Sequence, residues 1–161
     1  GLAPEKIEFE AQAPASLEAA ASLARPTTRA YDYLFLKDNL PYRLDFTPAI
    51  KEITEELIRG KKPETIAIKF HHTLARAILD VSLQARQEAG LNKIILTGGV
   101  FLNRILLEKT EQLLQQNGFH VLRPVYYSPG DESLSLGQIA SGLSLAARKE
   151  TAAGGLKKSG L

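Results

Sequence analysis

The sequence predicts an α/β fold, a mixed sheet flanked by helices, on three observations. Short β-branched runs alternate with longer stretches of helical periodicity in the order βααβαβα, after an initial helix and hairpin, the pattern of a sheet covered by helices rather than of a bundle or sandwich. A pair of glycines, Gly98-Gly99, directly follows one predicted strand and precedes a helix. The composition, 44% hydrophobic and 24% charged over 161 residues, is that of a soluble chain long enough to bury one core.

Residues 1–13 sustain no period and read as an irregular N-terminal segment. Pro14 then opens Ala15 to Ala24, rich in helix formers, and Pro26 disfavours helical geometry beyond Arg25. Tyr33-Leu34-Phe35-Leu36 and Tyr42-Arg43-Leu44-Asp45-Phe46 read as the strands of a hairpin, because Asp38 and Asn39 suit a turn and the second run alternates apolar with charged residues. Thr47-Pro48 is a helix start, with a capping hydroxyl and Pro at the first helical position; Ile50, Ile53, Leu57 and Ile58 share a face before Gly60. A longer helix is expected over 63–89, where Ala67, Phe70, Leu74, Ile78 and Val81 recur every three or four residues and Gly90 offers a stop.

Lys93 to Thr97 is the next strand, and after Gly98-Gly99 a helical pattern carries Leu106, Thr110, Leu113 and Leu114 to Asn117-Gly118. Phe119 to Leu122 supplies a further strand, 124–130 a loop, and Leu134 to Arg148 a last helix with Leu136, Ile139, Ala140, Leu143 and Ala147 on one side. The tail, 149–161, is expected to be disordered.

Composition excludes several function classes. Twenty Lys and Arg against eighteen Asp and Glu, a net charge of +2, lie scattered, so no nucleic-acid footprint is expected. The small cluster Arg59, Lys61 and Lys62 reads as a solvated helix end. No Cys is present, which rules out a disulfide framework, a thiolate zinc site and a Cys nucleophile, and fits a cytoplasmic location. No apolar run approaches the roughly 20 residues that span a bilayer, and Gly1-Leu2-Ala3-Pro4 carries no export signal, so no membrane partner is expected. The lack of any Met, initiator included, is expected of a piece of a longer chain.

Two segments can carry chemistry. In Leu96-Thr97-Gly98-Gly99-Val100-Phe101-Leu102-Asn103 the glycines let a ligand approach the backbone while the following helix start offers unpaired N–H groups; the same turn serves equally as a tight strand-to-helix connection, and its spacing is neither a P-loop nor a dinucleotide fingerprint. In Ser128-Pro129-Gly130-Asp131-Glu132-Ser133, Asp131 either holds a phosphate-bound cation or caps the next helix. His71, amid apolar helix neighbours, reads as a packed residue, His72 and His120 as half-exposed, and Tyr126 and Tyr127 as packing the base of the Asp loop.

Together these segments resemble the HypF family of carbamoyltransferases, which acts in nickel–iron hydrogenase maturation, in its C-terminal Kae-like domain, related to the enzymes of tRNA threonylcarbamoyladenosine synthesis. The resemblance runs from about Glu10 to Ala147. Gly98-Gly99-Val100-Phe101-Leu102-Asn103 matches the family's Gly-Gly-Val-Phe-Gln-Asn except at Leu102, and Pro129 to Ser133 with Leu136-Gly137-Gln138 meets its Pro-Asn-Asp-Gly-Gly and Leu-Gly-Gln. Phe70-His71-His72-Thr73-Leu74-Ala75 looks like its Phe-His-x-x-Leu-Ala helix, and Glu10-Ala11-Gln12-Ala13 with Leu17-Glu18 like its Glu-Gly-Gln-Ala opening. The departures are Ala11 for Gly, Pro14 for Ala, Leu102 for Gln, and Glu132-Ser133 for Gly-Gly.

The resemblance implies that residues 14–148 form one lobe of an actin/sugar-kinase/Hsp70-like (ribonuclease H-like) ATP-binding fold, the C-terminal lobe of the Kae-like domain. Gly98, Gly99 and Asn103 would line the nucleotide site, Glu18 would reach the ribose hydroxyls, and Asp131 would bind a divalent metal. The implied chemistry uses ATP and carbamoyl phosphate to make a carbamoyl-adenylate, from which the carbamoyl group passes to the C-terminal Cys of a HypE-like acceptor protein. The family's His-x-x-x-His pair belongs to the other lobe. The rivals are another carbamoyl or threonylcarbamoyl transferase of the same superfold, and a catalytically silent interaction domain, which Glu132-Ser133 favours.

Overall fold

The computed structural model describes residues 6–156. Helix α1 (Gln12–Ser22) starts earlier than Pro14 suggests, at a left-handed Ala11 with φ 65°. That is the position where the HypF pattern has Gly, and an L-side chain there carries a steric cost that Gly avoids. Strands β1 (Leu34–Leu36) and β2 (Arg43–Asp45) form the expected antiparallel hairpin, with Phe35 opposite Leu44.

Helix α2 (Thr47–Ile58) begins as expected at Thr47-Pro48, but the cap comes from Asp45, whose Oδ1 accepts from the Thr47 backbone N at 2.8 Å; the Thr47 hydroxyl caps nothing. Of its four expected apolar positions only Ile53 packs inward. Ile50, Leu57 and Ile58 are exposed, and the buried residue is Ala49, which packs with Tyr31 and Ile66.

Helix α3 (Pro63–Ala89) has the expected ends, closed by a left-handed Gly90. Its buried face is not the predicted stripe. Beside Ile66, Ala67, Ala75 and Ala77 it buries Lys69, His71, His72, Thr73 and Ser82, while Val81 is exposed. The helix is covered from several sides, by α1, α2 and α4 (Arg104–Gln116), so polar positions between the apolar ridges are enclosed as well. One apolar cluster, Tyr31, Ala49 and Ile66 with Phe46, Ile53 and Phe70, lies at its first half; a second, Leu96, Leu114 and Phe119 with Leu79, Leu83, Phe101 and Val121, lies at its second.

Strands β3 (Lys93–Ile95) and β4 (His120–Leu122) pair in parallel, joined by α4, with Ile94 opposite Val121. The expected single mixed sheet is corrected here: β1–β2 and β3–β4 are separate two-stranded sheets. Each strand is three residues long.

The last helix, α5 (Leu134–Leu156), runs past the expected end at Arg148 and takes in part of the tail expected to be disordered; 157–161 fall outside the described residues. Its apolar positions Leu136, Ile139, Ala140 and Leu143 are exposed rather than packed, since the helix departs from the 3-10 turn Asp131–Ser133 and that turn is its main contact.

Candidate functional site

Parallel pairing puts the carboxyl ends of β3 and β4 on one edge, so the segments that leave them emerge side by side. From β3 come Thr97, Gly98 and a 3-10 turn, Gly99–Leu102; from β4 comes the loop to Asp131. The Gly98 N–H donates to the Pro129 carbonyl at 2.7 Å, which ties the glycine turn to the Asp131 loop. Gly98 has φ 101° and ψ 156°, a conformation open to glycine alone, and a Cβ on Gly99 would meet nothing within 4 Å. Phe101 anchors the turn in the second apolar cluster, with its N–H on the Gly98 carbonyl at 3.0 Å. Val100 and Leu102 stay exposed.

Asn103 caps α4: its Oδ1 accepts from the Leu106 N–H at 2.9 Å, and its Nδ2 lies 2.8 Å from His71 Nε2. Glu18, on α1, reaches the same helix end, where its Oε1 accepts from the Arg104 N–H at 2.7 Å. An open depression of about 420 Å³ lies there, lined by Glu18, Ser22, Arg104 and Glu108 among others. Glu18, Gly98, Gly99 and Asn103 thus stand around the start of α4, and the Asp131 loop joins them through Pro129.

The Asp131 loop closes on itself. Ser128 Oγ donates to Glu132 Oε2 at 2.9 Å and accepts from the Gly130 N–H at 3.1 Å, while Ser133 Oγ donates to the Ser128 carbonyl at 2.6 Å. Bonds from its own backbone N–H and from Ser128 hold the Glu132 carboxyl below the usual carboxylate range. Glu132 and Ser133, the two departures from the family's Gly-Gly, therefore serve as loop fasteners. Asp131 does not cap the turn that it begins, and it is exposed.

Among the described residues no group of three His, Asp or Glu side chains stands close enough to hold a metal. The donor set does not fit a resident metal centre. At this edge the exposed carboxylates are those of Asp131 and its neighbour Glu132, which Ser128 holds.

The remaining expectations divide. His71 is buried, as expected, but it touches Asn103, a link that the sequence reading missed; an Asn directly before an amphipathic run signals a cap, yet nothing in spacing pairs it with a side chain 32 residues away. His72 is not half-exposed: it is buried, with Nδ1 3.2 Å from the Arg29 carbonyl, and burial pushes its imidazole pKa down. Tyr126 and Tyr127 do not pack beneath the loop; they are 91% and 59% exposed, and the loop is held by the Pro129 backbone instead. His120 is exposed, and no helix of the described residues is long and apolar enough to cross a membrane.

Comparison with known proteins places these features in a family. Residues 2–138 match the family model described as carbamoyltransferase, Kae1-like domain, second subdomain. The carbamoyltransferase HypF of Synechocystis sp. is 33% identical over 134 residues, which are 83% of this chain and 17% of that protein. A carbamoyltransferase HypF homolog of Cupriavidus necator is 33% identical over 152 residues, 91% of this chain and 37% of that protein. A crystal structure of full-length HypF in the phosphate- and nucleotide-bound form superposes with a TM-score of 0.78 at 32% identity, covering 84% of this chain and 17% of the other. The chain spans well under half the length of these relatives.

Proposed function

This chain belongs to the HypF carbamoyltransferase family, and from that premise we propose that it forms one wall of a nucleotide site in a carbamoyl-transferring enzyme, in one lobe of an actin/sugar-kinase-like fold. The observation that carries the reading is the hydrogen bond from the Gly98 N–H to the Pro129 carbonyl, which holds an uncovered glycine turn and an exposed Asp131 at one edge. The nucleotide would lie against Gly98 and Gly99, with Asn103 and Glu18 at its flank. Asp131 would meet the cation that the phosphates carry. That the solved relative holds phosphate and nucleotide supports the choice of ligand. The extra length of the relatives supports an opposing wall outside these residues.

The reaction is the attack of a thiolate, the C-terminal Cys of a HypE-like acceptor, on the carbamoyl carbon of carbamoyl-adenylate. A C–S bond forms, the carbamoyl C–O bond to phosphate breaks, and AMP leaves with the electron pair. No residue of this chain need act as nucleophile. Its part is to hold the adenylate against the exposed Gly99 end of the glycine turn and to bring the phosphate-borne cation to Asp131, catalysis chiefly by position; the N–H groups of Gly98, Arg104 and Leu106 are already bonded to Pro129, Glu18 and Asn103. Residues 14–148 would constitute the functional lobe.

Two measurements test the proposal. Asp131→Ala in a full-length enzyme built on this sequence should lower carbamoyl transfer by about 10²-fold, as loss of a charge-stabilising group does; unchanged transfer sinks the site. Calorimetry of the 161-residue chain with Mg-ATP should detect weak binding or none, whereas micromolar binding abolished by Asp131→Ala would show that the chain holds a complete site. The second reading, a silent interaction domain, is favoured by the Glu132–Ser128 fastener, which adds negative charge beside Asp131. Under it, restoring Gly-Gly at 132 and 133 would raise transfer from background.

A further inference from the structure

We infer that His71 is a positioning residue for the candidate nucleotide edge: from the buried face of α3 it fixes the amide of Asn103, and with it the start of α4. The inference rests on the nucleotide reading for its function, but its geometry stands apart from that reading. His71 is 2% exposed. Its Nδ1 lies 2.8 Å from the Ala67 carbonyl, and a carbonyl only accepts, so Nδ1 carries the hydrogen. In the neutral ring Nε2 is then a lone-pair acceptor, and the group 2.8 Å away must be the Asn103 NH₂. The Asn103 oxygen is thereby turned to the Leu106 N–H, 2.9 Å away, where it caps the helix.

The four groups allow one self-consistent assignment. Flipping the Asn103 amide would set oxygen against the Nε2 lone pair and NH₂ against the Leu106 N–H, breaking both bonds. One amide hydrogen of Asn103 is spent on His71, and the other is left for an acceptor such as a nucleotide oxygen. A buried helix therefore dictates the presentation of a residue at the exposed edge, through a side chain that reaches no ligand. Removal of His71 leaves Asn103 free to rotate, which loosens the cap and the donor together.

The test has three arms on the 161-residue chain. In the wild type, ¹⁵N NMR of His71 should show a protonated Nδ1 and an unprotonated Nε2; a protonated Nε2 overturns the inference. Amide exchange at Leu106 should rise about fivefold or more in His71→Leu, as loss of a cap does, should return toward wild type in His71→Gln, whose side-chain oxygen can accept from Asn103, and should rise no further when Asn103→Ala is added to His71→Leu. An unchanged Leu106 in His71→Leu, or additive effects in the double variant, overturns it. Exchange in the second apolar cluster, Leu114 and Phe119, serves to separate local release from unfolding. Failure of the nucleotide reading is a distinct result, read in a full-length enzyme built on this sequence: carbamoyl transfer would be unchanged in Asp131→Ala while the His71–Asn103 coupling persisted.

Discussion

Helices α3 and α5 are the two longest of the described residues, and they invert each other. Through its first half α3 buries a Lys, two His and a Thr; α5, whose stripe of Leu136, Ile139 and Leu143 is the more plainly apolar, has every described side chain exposed. The difference teaches what periodicity measures. A stripe of apolar residues records which face would gain from being covered, while neighbours decide which face is covered. α3 is hemmed in by other helices and satisfies its polar groups internally, whereas α5 meets chiefly the turn from which it springs.

The strongest way to break that contrast is at Lys69. Its Nζ lies 2.9 Å from Glu52, 3.0 Å from Glu56 and 3.9 Å from the centre of the Tyr31 ring, and the Tyr31 hydroxyl donates to Glu56 at 2.7 Å. Burial pushes the Glu56 carboxyl up, but bonds from Tyr31 and Lys69 outweigh it and hold the group below the usual carboxylate range. Lys69→Ala leaves the largely buried Glu56 carboxylate with the Tyr31 hydroxyl but without its countercharge, and should cost about 3 kcal/mol in urea unfolding, as does breaking a buried pair on one side. A loss near zero would mean that the α3 polar face is a passive surface.

A smaller effect, of opposite sign, is expected where α1 begins. Ala11→Gly removes a Cβ from a residue at φ 65° and should stabilise the chain by about 1 kcal/mol, less whatever entropy the added glycine returns to the unfolded state. If thermal unfolding shows destabilisation instead, the left-handed turn is not under strain.

Acidification probes the α3 face once more. The imidazole pKa of His72 is depressed in the folded chain by burial, so the unfolded chain takes up its proton first; the stability that His72 lends is present above the ordinary imidazole value and is lost as pH falls through the folded value. Glu56, also depressed, acts in the same direction at lower pH. Stability should therefore fall between about pH 7 and pH 5, and His72→Gln should flatten that slope. A parallel slope in the variant would assign the loss elsewhere.

Much of this arrangement was legible in the residues. Pro48, Pro63, Gly90 and the Gly98-Gly99 pair set boundaries through backbone geometry, a local property, and the structure keeps those boundaries. The glycine turn and the Asp131 loop could be placed on one edge because parallel strands joined by a helix leave their carboxyl ends together. What was not legible was set by packing. The cap on α2 moved to Asp45, Tyr126 and Tyr127 turned outward, and His71 found Asn103 across a helix interface, each a choice among conformations that the local sequence allows equally. The separation of the two sheets is of the same kind, since three-residue strands carry too little pattern to name their partners.

The smallest expected effect is the most telling for the comparison. Ile139 and Leu143 are 61% and 67% exposed, and substitutions on an exposed surface usually change stability by no more than about 0.5 kcal/mol. Ile139→Ser and Leu143→Ser should therefore leave the unfolding midpoint of this chain unmoved, where the same change at Leu114, fully buried, would cost about 3 kcal/mol through lost burial and a cavity. If either α5 substitution costs more than about 1 kcal/mol, the stripe is covered in solution, and the inverted pair of helices reduces to two faces buried in different ways.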